Sequence, residues 1–189
     1  MTSNETASAP LFPLERGRTK GYERRAVDAF LIRARSAFET GDQGVGVSAA
    51  TIRGVSFPMV RHGYSVVAVD TALARIENAF AARQRDQAIA SSGTAAWLDS
   101  TRNDAQVILD RLSRPKKERF DRVGFGRWGY RVDEVDVVAD KIAAYFTTGA
   151  PVSADQVRSV AFRMQRGGYS EVQVDAVLDA VVEVMLAVA

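Results

Sequence analysis

A phrase of eight residues, Gly-Tyr, four variable positions, then Val-Asp, is written four times in this chain: GYERRAVD from Gly21, GYSVVAVD from Gly63, GYRVDEVD from Gly129 and GYSEVQVD from Gly168. Repetition at this density restricts the fold to copies of one small unit, because a unit this size cannot bury its apolar face alone and has to pack on its neighbours.

Each phrase leads into a helix signal. Counting five, nine, twelve and sixteen residues from the tyrosine gives Val27, Leu31, Ala34 and Phe38 in the first copy and Val69, Leu73, Ile76 and Phe80 in the second. The third copy gives Val135, Ala139, Ile142 and Phe146, and the fourth Val174, Leu178, Val181 and Met185. Every position is apolar, and steps of four, three and four make a seam that packs one helix on another. The fold class expected is all-α, with short-helix, turn, long-helix repeats packed as a helical bundle or as coiled-coil pairs.

Upstream, the second and fourth copies match in Val-Ser-Ala and in a phenylalanine six residues before the glycine, Phe57 and Phe162. Ser48 and Ser153 read as N-caps, the latter with Gln156 completing a capping box, so a short helix is predicted before each of these turns. In the first and third copies the phenylalanines, Phe12 and Phe120, stand nine residues before the glycine, across longer basic loops. The order long, short, long, short implies a duplicated pair. The divisions expected are a disordered N-terminus over 1–10, a first repeat pair over 11–85, a connecting helix (about 94–112) with a basic linker over 86–118, and a second pair over 119–189.

Within the phrase, Gly21, Gly63, Gly129 and Gly168 are expected to supply a positive φ at a sharp corner. Tyr22, Tyr64, Tyr130 and Tyr169 are expected to staple the first helical turn, and Ser65 and Ser170 to cap it. The aspartates Asp28, Asp70, Asp136 and Asp175 are expected to bond a turn amide, pair with an arginine or favour the helix start.

These residues resemble the N-terminal domain of DivIVA-type proteins: Gly-Tyr, a short gap, Val-Asp, an apolar seam, and a phenylalanine upstream as in VRSVAFRMQRGGY. The resemblance covers most of 11–85 and 119–189 and is closest in the second and fourth copies; the chain looks like an actinobacterial DivIVA-domain repeat protein. It implies a non-enzymatic cytoplasmic scaffold of cell division or polar growth, peripheral to the membrane at septum or pole, that recruits division or cell-wall growth proteins and pairs through coiled coil as a homodimer. It also implies that the loop before Gly-Tyr touches lipid. Carried onto this chain, those loops hold Arg16, Arg18 and Lys20; Arg61 and His62; Phe125, Arg127 and Trp128; and Arg166 with Gly167. The second and fourth copies lack the family's exposed aromatic, and only twenty residues of this sequence come after Tyr169, so the resemblance does not imply a filament-forming scaffold with a long C-terminal coiled coil. The seams could be filled within one chain, first copy with second and third with fourth, or between chains; both stay open at this stage.

The rest of the composition narrows the function. With one histidine, no cysteine and no phosphate loop or metal-spaced cluster, an enzyme is the poorest option, and no cofactor or metal is expected. The absence of cysteine and of any long apolar run suits a reducing compartment. The competing partner is nucleic acid: over 111–131 eight Arg or Lys stand against two acidic residues, interleaved with Phe125, Trp128 and Tyr130. Against it, no helix carries a basic face.

Overall fold

The computed structural model describes residues 9–40, 46–124 and 126–188; Phe125 and most of the expected disordered N-terminus lie outside them. The described residues are mostly helical, in two compact units, Met1–Phe80 and Ala81–Ala189.

In the first unit a strand β1 (Lys20–Tyr22) leads into helix α1 (Arg24–Thr40), a one-turn helix α2 (Ala49–Arg53) precedes strand β2 (Met59–Arg61), and helix α3 (Val66–Ser92) starts just after Tyr64. Ser48 caps α2 by accepting the Thr51 amide at 3.1 Å. The core is built from Val27, Phe30, Ala34 and Ala37 of α1, Ile52 of α2, and Val69, Leu73 and Phe80 of α3. Buried Glu77 of α3 is held by Arg53 Nε at 2.8 Å.

The second unit repeats the plan with one addition. The last residues of α3 are followed by Gly93, whose φ of +83° lets a single residue join two helices. Next come α4 (Thr94–Leu112), β3 (Trp128–Tyr130), α5 (Val132–Thr148), α6 (Ala154–Arg158), β4 (Met164–Arg166) and α7 (Glu171–Ala187). Ser153 and Gln156 form the expected capping box on α6, at 3.2 and 2.9 Å. Gly149 ends α5 in the left-handed conformation, φ +70°. The core gathers Val135, Ala139 and Ile142 of α5, Val174, Val181 and Met185 of α7, and Ile108 and Leu112 of α4 in one cluster.

The helical class expected is found: the described residues are mostly helical, with only four three-residue strands that pair antiparallel as β1 with β2 and β3 with β4. Two expectations need correction. Helix α4 has the expected bounds but is not merely a connector; it packs on both α5 and α7 and belongs to the second unit. The seam is wider than drawn. Phe30, Ala37, Val132, Val182, Val184 and Leu186 are buried beside it, whereas Leu31, Ile76, Phe146 and Leu178 are only partly covered and Phe38 is 40 % exposed with its ring 5.3 Å from that of Phe80.

Candidate functional site

The glycine of the repeated phrase does not have a positive φ in any copy. Its role is close approach. A Cβ on Gly21 would stand 2.1 Å from the carbonyl oxygen of Tyr64, and one on Gly168 2.4 Å from that of Tyr130. Two Gly-Tyr segments lie against each other here, bonded in both directions: Tyr22 and Tyr64 at 3.0 and 2.9 Å, Tyr130 and Tyr169 at 2.9 Å each way. A side chain between them would hold the backbones too far apart for those bonds.

The rest of the phrase is explained by this crossing, because the tyrosine of one copy meets the aspartate of the other. Tyr64 donates to Asp28 at 3.3 Å, Tyr169 to Asp136 at 3.1 Å and Tyr130 to Asp175 at 3.4 Å, and the Tyr22 hydroxyl is bonded to Asp70. Phenylalanines cross too: Phe12 packs on Tyr64, Phe57 on Tyr22, Phe120 on Tyr169 and Phe162 on Tyr130, all with ring centroids 5.0–5.3 Å apart. Such edge and tilted pairs contribute about 0.5–1.5 kcal/mol each beyond area burial. Burial first, and then the facing carboxylate, raises the pKa of Tyr22 and Tyr130; burial likewise raises that of Tyr169, against a lowering by the Arg119 amide and with a further raising from Asp136. Each aspartate therefore bonds a tyrosine, a partner not expected of it; Asp136 also accepts a turn amide, from Lys117 at 2.8 Å, and lies 3.9 Å from Arg119 Nη1, as expected. Ser170 makes no side-chain cap; its amide, like that of Ser65, is tied to the backbone of the other copy, at Asp121 and Pro13.

Away from the helices, each crossed ribbon ends in a basic tip. In the first, Lys20 is opposite Arg61, the turn passes through His62, and Arg16 and Arg18 lie in the adjoining loop, all exposed. His62 has φ +56°, the conformation that Gly167 adopts at the matching place in the second unit with φ +61°. In the second tip, Trp128 is opposite Arg166, whose guanidinium sits 5.5 Å above the indole, and the ring remains 54 % exposed. Arg127 is exposed beside it, and Arg122 Nη1 is tied to the Gly167 carbonyl at 2.9 Å. Crossing thus gathers Arg16, Arg18, Lys20, Arg61 and His62 at one end, and Arg127, Trp128 and Arg166 at another; Phe125 lies outside the described residues.

The basic stretch at 111–131 divides. Arg119 is only 6 % exposed. It donates to the Asp136 carbonyl at 2.7 Å, to Asp140 Oδ1 at 2.5 Å and to the Arg114 carbonyl at 3.1 Å. Lys116 pairs with Asp140 at 2.9 Å, and the Lys117 amide donates to Asp136 Oδ2 at 2.8 Å. Bonds from Arg119 and then Lys116 hold the Asp140 carboxyl below its usual range. Residues 114–119 are thus a strap across α5, which takes Arg119 out of the surface proposed for nucleic acid and ties exposed Lys116 to Asp140. The sequence carried one signal for this, the carboxylates Asp136 and Asp140 one turn apart.

No protein-family model, curated protein or solved structure matches the chain. Among the described residues no cluster of side chains could hold a metal ion, and no helix is long and apolar enough to cross a membrane.

Proposed function

We propose that this chain is a non-enzymatic scaffold or adaptor, in which the first repeat pairs with the second and the third with the fourth inside one chain, and the basic ribbon tips contact an anionic membrane surface. The observation that carries the reading is the crossing: every tyrosine of the phrase bonds an aspartate of another copy of the same chain, and the loops of two copies are thereby placed side by side. The helices of a pair run parallel on this reading, since Tyr22 is paired with Tyr64 and the rings sixteen residues on, Phe38 and Phe80, meet at 5.3 Å. The seams then need no second chain. The likeness to DivIVA-type domains supports a role at the septum or pole, with division or cell-wall growth proteins as the recruited partners.

Each exposed cation contributes about 1 kcal/mol at an anionic membrane surface. The four Arg and Lys of the first tip together favour binding by roughly a thousandfold. Trp128 adds an amphipathic ring suited to the headgroup level. Sedimentation with vesicles of anionic and of neutral lipid tests the reading. The protein should pellet with the anionic vesicles alone, and Arg127→Ala with Trp128→Ala should lower that binding with unchanged helicity. Binding that is indifferent to lipid charge, or unaltered by the double substitution, would remove the tips from the account.

A further inference from the structure

The two units wear different coverings at one matching place. Leu11 and Arg119 are equivalent, each donating its backbone amide to the hydroxyl of the buried tyrosine, Tyr64 or Tyr169, at 3.2 and 3.4 Å. Asp28 and Asp136 are equivalent as acceptors from those same hydroxyls. One helical turn on, α5 has Asp140 and α1 has Ile32. In the second unit this ground is covered by the strap, whose Lys117 amide reaches Asp136 and whose Lys116 and Arg119 reach Asp140. In the first, no described residue covers it: Leu11 is 64 % and Ile32 70 % exposed, and Asp28 Oδ1 is buried without a hydrogen-bond partner among the described residues. A buried carboxylate oxygen left unpaired is costly, and an amide like that of Lys117 would satisfy it.

The charge is also inverted. Asp140 of α5 meets the basic strap and Asp133 lies earlier on the same stripe; at the matching places α1 has Ile32 and Arg25, with Arg35, paired to Glu39 at 2.7 Å, three residues further along. We infer that the face of α1 formed by Arg25, Asp28, Ile32 and Arg35, together with exposed Leu11, docks a short extended segment of a partner protein, acidic where the strap is basic, with an apolar side chain over Ile32 and a backbone amide directed at Asp28. This site stands apart from the ribbon tips and from lipid, so it can fail while they hold, and the reverse.

The test uses the full chain, isotope-labelled, and two synthetic peptides. One is the strap sequence Ser-Arg-Pro-Lys-Lys-Glu; the other is its recast form Ser-Glu-Pro-Leu-Gly-Glu, with glycine at the place where Lys117 has φ +72°. Amide shifts on titration should move at Leu11, Asp28 and Ile32 with the recast peptide and not with the native strap. Exposed Ile32→Asp together with Arg25→Asp makes this face resemble α5 and should weaken the recast peptide by about tenfold or more while admitting the native strap. No shift at millimolar recast peptide, shifts scattered away from α1, or binding indifferent to the double substitution would each overturn the inference.

Discussion

Gly129→Ala is the most direct way to pry apart a crossing. The added methyl would stand 2.3 Å from the Tyr169 carbonyl oxygen. An ordinary carbon-to-oxygen contact is about 3.3 Å, so the strands have to separate by roughly 1 Å. That stretches both Tyr130–Tyr169 backbone bonds, each 2.9 Å long, beyond hydrogen-bonding distance. Two lost bonds cost about 2 kcal/mol together, and forcing a methyl into a filled space costs about 1–3 kcal/mol. The alanine stiffens the unfolded chain, which returns about 0.4–1 kcal/mol. The net expectation is about 2–4 kcal/mol of destabilisation. Both tryptophans, Trp97 and Trp128, lie in the second unit, so their fluorescence follows its unfolding alone. With a urea slope of roughly 2 kcal/mol/M the midpoint should fall by about 1–2 M. Gly124→Ala is the control: nothing lies within 4 Å of its added carbon and its φ is not positive, so stability should be unchanged or slightly higher. Equal midpoints for the two variants would refute the close-approach argument.

At the matching turn, His62→Gly should stabilise the first unit by about 1 kcal/mol, since a non-glycine residue pays for its φ of +56°; a lower melting temperature would say that the imidazole makes a contact that matters more. The tyrosines act on the alkaline side of the pH dependence. Tyr22, Tyr130 and Tyr169 have pKa values raised in the folded state, so the stability they lend is complete below their ordinary value of about 10 and is lost as pH climbs through the raised ones. The tyrosinate signal of these three should therefore rise late and together with loss of helical signal, and their ionisation at the ordinary value with the fold intact would contradict the Tyr–Asp pairs.

Much of the helical plan was legible because helices carry their own period. Trp97, Thr101, Ala105, Ile108 and Leu112 alone locate α4, and Ser48 and Ser153 mark the starts of α2 and α6. The strands were not legible, since three residues are too few to show alternation. The glycines were misread for a physical reason: the missing Cβ serves a positive φ and a close approach equally well, and only the facing strand tells which is used. The same holds for the phrase as a whole. Its tyrosine and aspartate are six residues apart in every copy, yet each finds its partner in a different copy, and no inspection of one copy shows that. Arg119 and Lys116 look like any solvated basic run until Asp136 and Asp140 come to meet them.

Contacts made across copies, rather than within them, hold each pair of repeats together, and two double-mutant cycles separate these cases. Tyr169→Phe combined with Asp136→Asn should show a coupling of about 1 kcal/mol in urea unfolding, while Tyr169→Phe combined with Asp175→Asn, from its own phrase, should be additive within about 0.3–0.5 kcal/mol. Coupling inside the phrase and none across it would contradict the crossed pairing and the proposed function built on it.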